Sequence, residues 1–363
     1  MSTTNTFTYP SDIPKPPAPY IAHPYVLSQT KGLIGRQEEL NLLTDWFTGQ
    51  KGLGGVRIFN VVALGGMGKS ALTWKWFNEI ATEVQPHPSY LAGRMWWSFY
   101  ESDGYFENFI IRALAYVAQI SLEEAQKIPV RQREDKLLNI LDREPHLLVL
   151  DGLERILIAY ARMDAAHVTD DDYDKRTGNF IGSAQRLSES EAEIFNDGHR
   201  LRKTTDPRVG NFLRKLTQVR ASWILVSTRL YPFDLQRITG DPLPGSAAHY
   251  LKGLSENDSL DLWREFGCTG KREDLLQMFR SFDNHPLLIH IVAGEVANFP
   301  KAPFDFERWR KNTPKFDLIE KPKVSDYILE FITKHLAKTE RRLLQTVCVF
   351  RSPVPFELLE ILW

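Results

Sequence analysis

An α/β fold built on a doubly wound parallel sheet is predicted by three observations on this chain. Residues 147–151 and 223–229 are short runs apolar on both faces, the pattern of central parallel strands covered by helices on either side. Segments with helical periodicity alternate with these strands. A further buried strand, residues 57–64, turns through clustered glycines into Lys-Ser and a helix-forming stretch. Ligands of such sheets bind beyond the carboxyl ends of the strands, where this turn falls.

The elements follow in order. Residues 1–28 read as a tail, because Pro10, Pro14, Pro16, Pro17, Pro19 and Pro24 favour extended, solvated backbone, with Tyr20 and Tyr25 able to dock on a neighbouring surface. A helix opens at Gln37, with Leu40, Leu43, Trp46 and Phe47 on its apolar side. The strand 57–64 leads to a helix from Lys69 to about Glu83. Residues 94–100 form an aromatic-rich strand, followed by helices over 105–120 and 133–141 and then by the strands 147–151 and 223–229. From about Tyr250 the texture changes to short amphipathic helices over 256–266, 273–282, 287–297 and 304–311, which predicts a small helical subdomain. The last stretch, 324–363, holds three more helical segments and ends on an apolar one, which predicts a domain continuing past Trp363. The expected boundaries are 1–28 for the tail and 29–245 for the sheet domain, with an exposed insertion over about 160–205. The helical subdomain is expected over 246–318 and the beginning of a further subdomain over 319–363.

The strongest motif is Val61-Val62-Ala63-Leu64-Gly65-Gly66-Met67-Gly68-Lys69-Ser70-Ala71-Leu72, the chemistry of a phosphate-binding P-loop. Gly65, Gly66 and Gly68 remove side chains that would keep backbone N–H groups from a phosphate chain, and the following helix turns its positive end to the same anion. Lys69 supplies a mobile charge for the β- and γ-phosphates, and Ser70 a hydroxyl for Mg²⁺. Met67 and Ala71 complete the binding stretch. Ala63 stands where the strict pattern has its first glycine, a tolerated small residue. The competing reading is a glycine turn that binds nothing.

Asp151, at the tip of an apolar strand, suits a Mg²⁺-organising carboxylate beside Ser70. Its bland alternative is a turn or capping residue. Glu154, three residues on, is a candidate to polarise the attacking water, or a solvated first-turn glutamate. Arg229 ends the strand Ser227-Thr228-Arg229, where a guanidinium can reach a γ-phosphate and report its presence; otherwise it is a surface ion pair. Pro286 in Asn284-His285-Pro286-Leu287 opens a helix, and His285 beside it reads as structural rather than catalytic.

Composition narrows the class. The chain has 363 residues, 43% hydrophobic and 25% charged, as in globular proteins of two or three subdomains. A net charge of −1 gives no basic field for nucleic acid or anionic membrane. Cys268 and Cys348 lack metal-ligand spacing and fit a reducing compartment. No apolar run approaches the ~20 residues of a membrane span, and residues 1–9 lack a signal-peptide core. A cytoplasmic, soluble protein is expected.

Taken together, these residues resemble the STAND class of P-loop NTPases, and within it the NB-ARC branch. Ile34-Gly35-Arg36 matches the Val-Gly-Arg element that contributes to the adenine pocket, Gly65 to Ser70 the GGxGK[ST] loop, Arg229 the sensor arginine, and Pro286-Leu287 the element through which a helical subdomain covers the base. Residues 319–363 look like the start of a winged-helix subdomain. The resemblance covers about 31–363. It implies an ATP/ADP switch in signalling or defence, closed with ADP and self-associating with ATP, with slow Mg²⁺-dependent hydrolysis. Asp151-Gly152-Leu153-Glu154 departs toward the NACHT branch, leaving open which residue positions the water. The roughly seventy residues before the sensor strand include Asp170-Asp171-Asp172-Tyr173-Asp174, expected to be exposed, with metal binding as the alternative. The resting-state histidine of the winged helix would lie beyond Trp363. Sensor and effector modules are expected elsewhere, past Trp363 or on another chain. Two rival readings are a DNA-acting ATPase, with Lys334, Lys338, Arg341 and Arg342 as phosphate contacts, and a transcription regulator with a separate DNA-binding module.

Overall fold

A computed structural model describes residues 18–25, 32–84, 91–161, 199–237 and 239–313, with short backbone stretches at 173–174, 179–180, 338–339 and 342–343. Most of the expected winged-helix segment, most of the insertion and the residues Asp170 to Asp172 lie outside the described residues.

The chain forms two compact units. The first comprises Met1–Val26, Glu38–Leu64 and Lys69–Tyr250; the second comprises Leu27–Gln37, Gly65–Gly68 and Leu251–Trp363.

The first unit is an α/β layer structure, as the sequence predicts. Its strands in chain order are β1 (Tyr20–Ile21), β2 (Ile58–Val62), β3 (Gly93–Ser98), β4 (His146–Asp151), a separate two-stranded pair β5 (Tyr173–Asp174) and β6 (Asn179–Phe180), then β7 (Trp223–Thr228) and β8 (Ser246–Tyr250). All but β5 and β6 form one six-stranded sheet, ordered β1-β3-β4-β7-β2-β8, and its pairings are all parallel. Among the described residues its helices of six residues or more are α1 (Gln37–Phe47), α2 (Lys69–Lys75), α3 (Phe106–Ala118), α4 (Leu122–Lys127), α5 (Val130–Arg143) and α6 (Pro207–Leu216).

Alternation along the strands sends side chains to two buried faces. Ile58, Val62, Met95, Trp97, Leu148, Leu150, Ile224 and Val226 share a core with α3, α5 and α6 through Phe109, Leu137, Leu141, Phe212 and Leu216. The opposite face packs on α1 and α2: Phe59 meets Trp46, Trp223 meets Phe47, and Trp96 meets Trp74 edge-on. Burial on both faces explains why these strands read as continuous apolar runs.

Three elements differ from expectation. The proline-flanked tail contributes β1, whose Tyr20 is 2% exposed and accepts a hydrogen bond from Arg112; short extended backbone beside prolines suits a sheet edge. Strand β8 extends the sheet five residues past the expected boundary at 245. Its Ser-Ala-Ala-His-Tyr sequence lacks an apolar signature because it packs only half-buried at the edge. The helix after the glycine turn does not stay regular: Trp76–Ile80 form a π turn in which the Ala81 N–H reaches the Trp76 carbonyl.

The second unit contains α7 (Glu256–Glu265), α8 (Arg272–Ser281), α9 (Pro286–Ala297) and α10 (Phe306–Asn312). They close around Trp263, Phe279, Leu288, Val292, Phe306 and Trp309. No helix among the described residues is long and apolar enough to cross a membrane.

Candidate functional site

Strand register gathers the chemistry of the first unit. β7 lies between β2 and β4, so Ser227 stands level with Val61 on one side and Asp151 on the other. The chain leaves β2 at Val62, passes the glycine turn and enters α2 at Lys69. Ser70 Oγ donates to Asp151 Oδ1 at 2.8 Å, and Ser227 Oγ donates to the same oxygen at 2.6 Å. Asp151 is 2% exposed. Burial pushes its carboxyl up to about 6, against the pull of the two hydroxyl donors. The Lys69 ammonium, also buried, donates to the Leu64 carbonyl at 3.2 Å. Desolvation holds its pKa below the usual lysine value, with Glu154 and Asp151 partly opposing. Neither Lys69 nor Asp151 forms a salt bridge among the described residues.

Glu154 is fully buried, not a solvated first-turn residue. Gly152, at φ +74°, turns the chain back after β4, and a Cβ there would lie 2.6 Å from the Tyr100 ring. The turn brings Glu154 to the Tyr100 hydroxyl, which donates to Oε1. The Arg229 N–H donates to Oε2 at 3.1 Å, and the Arg229 guanidinium pairs with Oε1 at 3.3 Å while lying over the Tyr160 ring. Tyr100 and Ser227 carry no sequence motif; only the register of β3, β4 and β7 reveals their roles.

In the second unit the glycine turn has its own supports. Gly66, at φ +80°, is required sterically: an added Cβ would approach Leu287 Cβ and Cδ2 at 2.7 Å and His285 Cε1 at 2.9 Å. His285 Nε2 sits 3.0 Å from the Gly65 carbonyl. Arg36 donates to the carbonyls of Met67 at 3.1 Å and Lys252 at 2.8 Å. Gly35 faces Asp258, whose Cγ would lie 2.5 Å from a Cβ, and Ile34 packs on the helical core. Pro286 takes the first turn of α9. Gly68, at φ +87°, has open space on its Cβ side, and Met67 and Ala71 are buried.

The donor set fits Mg²⁺ and a phosphate chain. A hydroxyl and a carboxylate 2.8 Å apart are oxygen ligands of the kind Mg²⁺ takes one or two of, leaving its other positions to water and phosphate. No group of three His, Cys, Asp or Glu residues forms a metal cage among the described residues. The parallel sheet, glycine turn, buried lysine and serine–aspartate pair are the architecture of a P-loop NTPase.

No family model and no curated protein matches the chain. Among solved structures, it is similar to a signal transduction ATPase with numerous domains (STAND) carrying a tetratricopeptide repeat sensor, from Pyrococcus horikoshii (13% identity, TM-score 0.49, 92% of this chain). The match spans only 37% of that protein's length. It is also similar to a Walker-type ATPase of Pyrococcus abyssi (13% identity, TM-score 0.43, 92% of this chain and 91% of that one). A third similarity is to the Drosophila ORC bound to DNA (9% identity, TM-score 0.42, covering 90% and 70%).

Proposed function

We propose that this chain is an ATP- and ADP-binding NTPase of the STAND class, NB-ARC-like with a NACHT-like carboxylate strand, that acts in the cytoplasm as a nucleotide-controlled oligomerisation switch in signalling or defence. One observation carries the nucleotide reading: a buried lysine ammonium, without an ion pair among the described residues, follows a glycine turn while the next residue's hydroxyl rests on a buried strand-tip carboxylate. Burying isolated charges is costly unless a ligand compensates them.

In this reading the loop amides and Lys69 bind the β- and γ-phosphates. Ser70 and Asp151 hold Mg²⁺, which neutralises charge developing on the phosphates. Glu154 orients the attacking water once its hold on Arg229 loosens, and Arg229 exchanges that carboxylate for a γ-phosphate that ADP lacks. Switching needs differential binding: reversing a 1:99 population takes about 5.5 kcal/mol. Charge-assisted bonds from Arg229 and Lys69 contribute roughly 1.5–3 kcal/mol each, and self-association and a trigger supply the rest. The motif order Ile34-Gly35-Arg36, P-loop, Arg229, Pro286-Leu287 supports the switch over steady turnover. Of the basic residues that a DNA-acting ATPase would use, Lys338 and Arg342 are exposed, and Lys334 and Arg341 lie outside the described residues.

The test is to denature the purified protein and identify released nucleotide chromatographically, beside Lys69→Ala. Near-stoichiometric ADP in the parent and none in the variant is the expected result. An empty parent with brisk multiple turnover would replace the switch with a working ATPase, and full nucleotide content in Lys69→Ala would refute the P-loop reading.

A further inference from the structure

We propose that His285 and Arg36 are positioning residues that preset the peptide planes of the glycine turn for a diphosphate. The inference rests on the nucleotide reading above and extends it to two side chains distant in sequence from the turn.

A trans peptide is planar, with its C=O and N–H on opposite edges. Fixing one carbonyl therefore fixes the direction of the next residue's N–H. His285 Nε2 lies 3.0 Å from the Gly65 carbonyl. A carbonyl only accepts, so Nε2 carries the proton, and the Gly66 N–H is turned to the opposite side. Arg36 Nη2 donates to the Met67 carbonyl at 3.1 Å, which turns the Gly68 N–H likewise. Both glycines have positive φ, and Leu287 closes the space where a Gly66 side chain would lie. Backbone N–H groups held in fixed directions along a turn, here those of the alternate residues Gly66 and Gly68, serve as an anion site. Glycine peptides otherwise rotate freely, and ordering them at the moment of binding would cost affinity. His285 and Arg36 are 2% and 5% exposed, so water does not compete for the pinned carbonyls.

This assigns His285 a role that its neighbour Pro286 obscures in the sequence. The donor at the Nε2 position, not the ring, is the functional element. A glutamine amide reaches a comparable distance, whereas phenylalanine keeps volume without a donor.

The experiment measures ADP affinity by calorimetry for the parent, His285→Gln and His285→Phe, with the melting temperature of each variant as a folding control. His285→Phe is expected to bind ADP about tenfold more weakly, the loss of roughly one hydrogen bond, and His285→Gln within about threefold of the parent. Equal affinity for the parent and His285→Phe, or equal weakness of both variants, overturns the proposal. Nitrogen NMR of histidine-labelled parent protein tests it without a variant: the Nε2–H tautomer is required, and an Nδ1–H tautomer at His285 overturns it. If the parent itself binds no ADP, the nucleotide reading fails and takes this one with it; if the parent binds and Lys69→Ala does not, only the pinning role is at stake.

Discussion

Asp151 and Lys69 carry opposite charges, are both withdrawn from water, and form no ion pair with each other or with any other described residue. Two serine hydroxyls satisfy one carboxylate oxygen, but a hydroxyl gives far less than a cation. Such a pair is a poor stability device and a good binding device. Lys69→Ala should therefore cost little in the ligand-free protein while removing ligand-dependent stabilisation. At a hundredfold excess of ADP over Kd the parent gains about 2.7 kcal/mol, and thermal melts with and without ADP should show that gain vanish in the variant. An undiminished ADP shift in Lys69→Ala would place the phosphate site elsewhere. Asp151→Asn keeps an acceptor for Ser70 and Ser227 but removes the charge that Mg²⁺ needs. It should retain ADP binding and lose Mg²⁺-dependent hydrolysis by two orders of magnitude or more, on the order of the ~3–4 kcal/mol seen when one electrostatic group is removed from an active site. Normal turnover in that variant would move the metal site.

Strand β4 shows how one element serves both packing and chemistry. Its apolar residues fill both faces of the sheet, and its last residue is the proposed metal-site carboxylate Asp151. Its first, His146, is fully buried, with Nδ1 3.1 Å from the Glu144 carbonyl and its backbone N–H on Ser222 Oγ. Burial holds the imidazole below its usual pKa of 6.5. In the window between the depressed folded value and 6.5 the unfolded chain binds a proton that the folded chain refuses. Stability from neutral His146 is thus complete above about pH 6.5 and is lost as the pH falls, at up to about 1.4 kcal/mol per unit for one proton. Urea unfolding of the parent against His146→Gln between pH 5 and 8 should show a shallower acid decline in the variant. Identical slopes would mean that the imidazole stays solvated. The turn after β4 is equally constrained, since the left-handed Gly152 is what lets the buried Glu154 return to Tyr100 and Arg229.

For the molecule as a whole, the proposal makes assembly follow nucleotide. Light scattering on size-exclusion fractions should find a monomer with ADP and a larger species with a non-hydrolysable ATP analogue. Arg229→Ala should remain monomeric with either, because the proposed γ-phosphate contact is gone. Association indifferent to nucleotide would retain the P-loop chemistry but discard the switch. Only a differential affinity between states can drive such a change, however tight the binding itself.

Much of this was legible beforehand because it is local. Apolar runs of four or five residues declare buried parallel strands, and Gly65 to Ser70 match a phosphate-loop pattern by residue type and spacing alone. Asp151 follows from its place at a strand tip. The partners of those residues are another matter. Nothing in the sequence links Ser227 to Asp151, Tyr100 to Glu154, or His285 to Gly65, since these pairs stand 76, 54 and 220 residues apart. Strands β1 and β8 leave little trace in the sequence for a related reason: at a sheet edge, pairing is decided by backbone hydrogen bonds that carry little side-chain signature. Residue type thus declares which groups can do chemistry, while strand order and register decide which of them meet, because contacts between distant segments form only when the sheet and helical cores close.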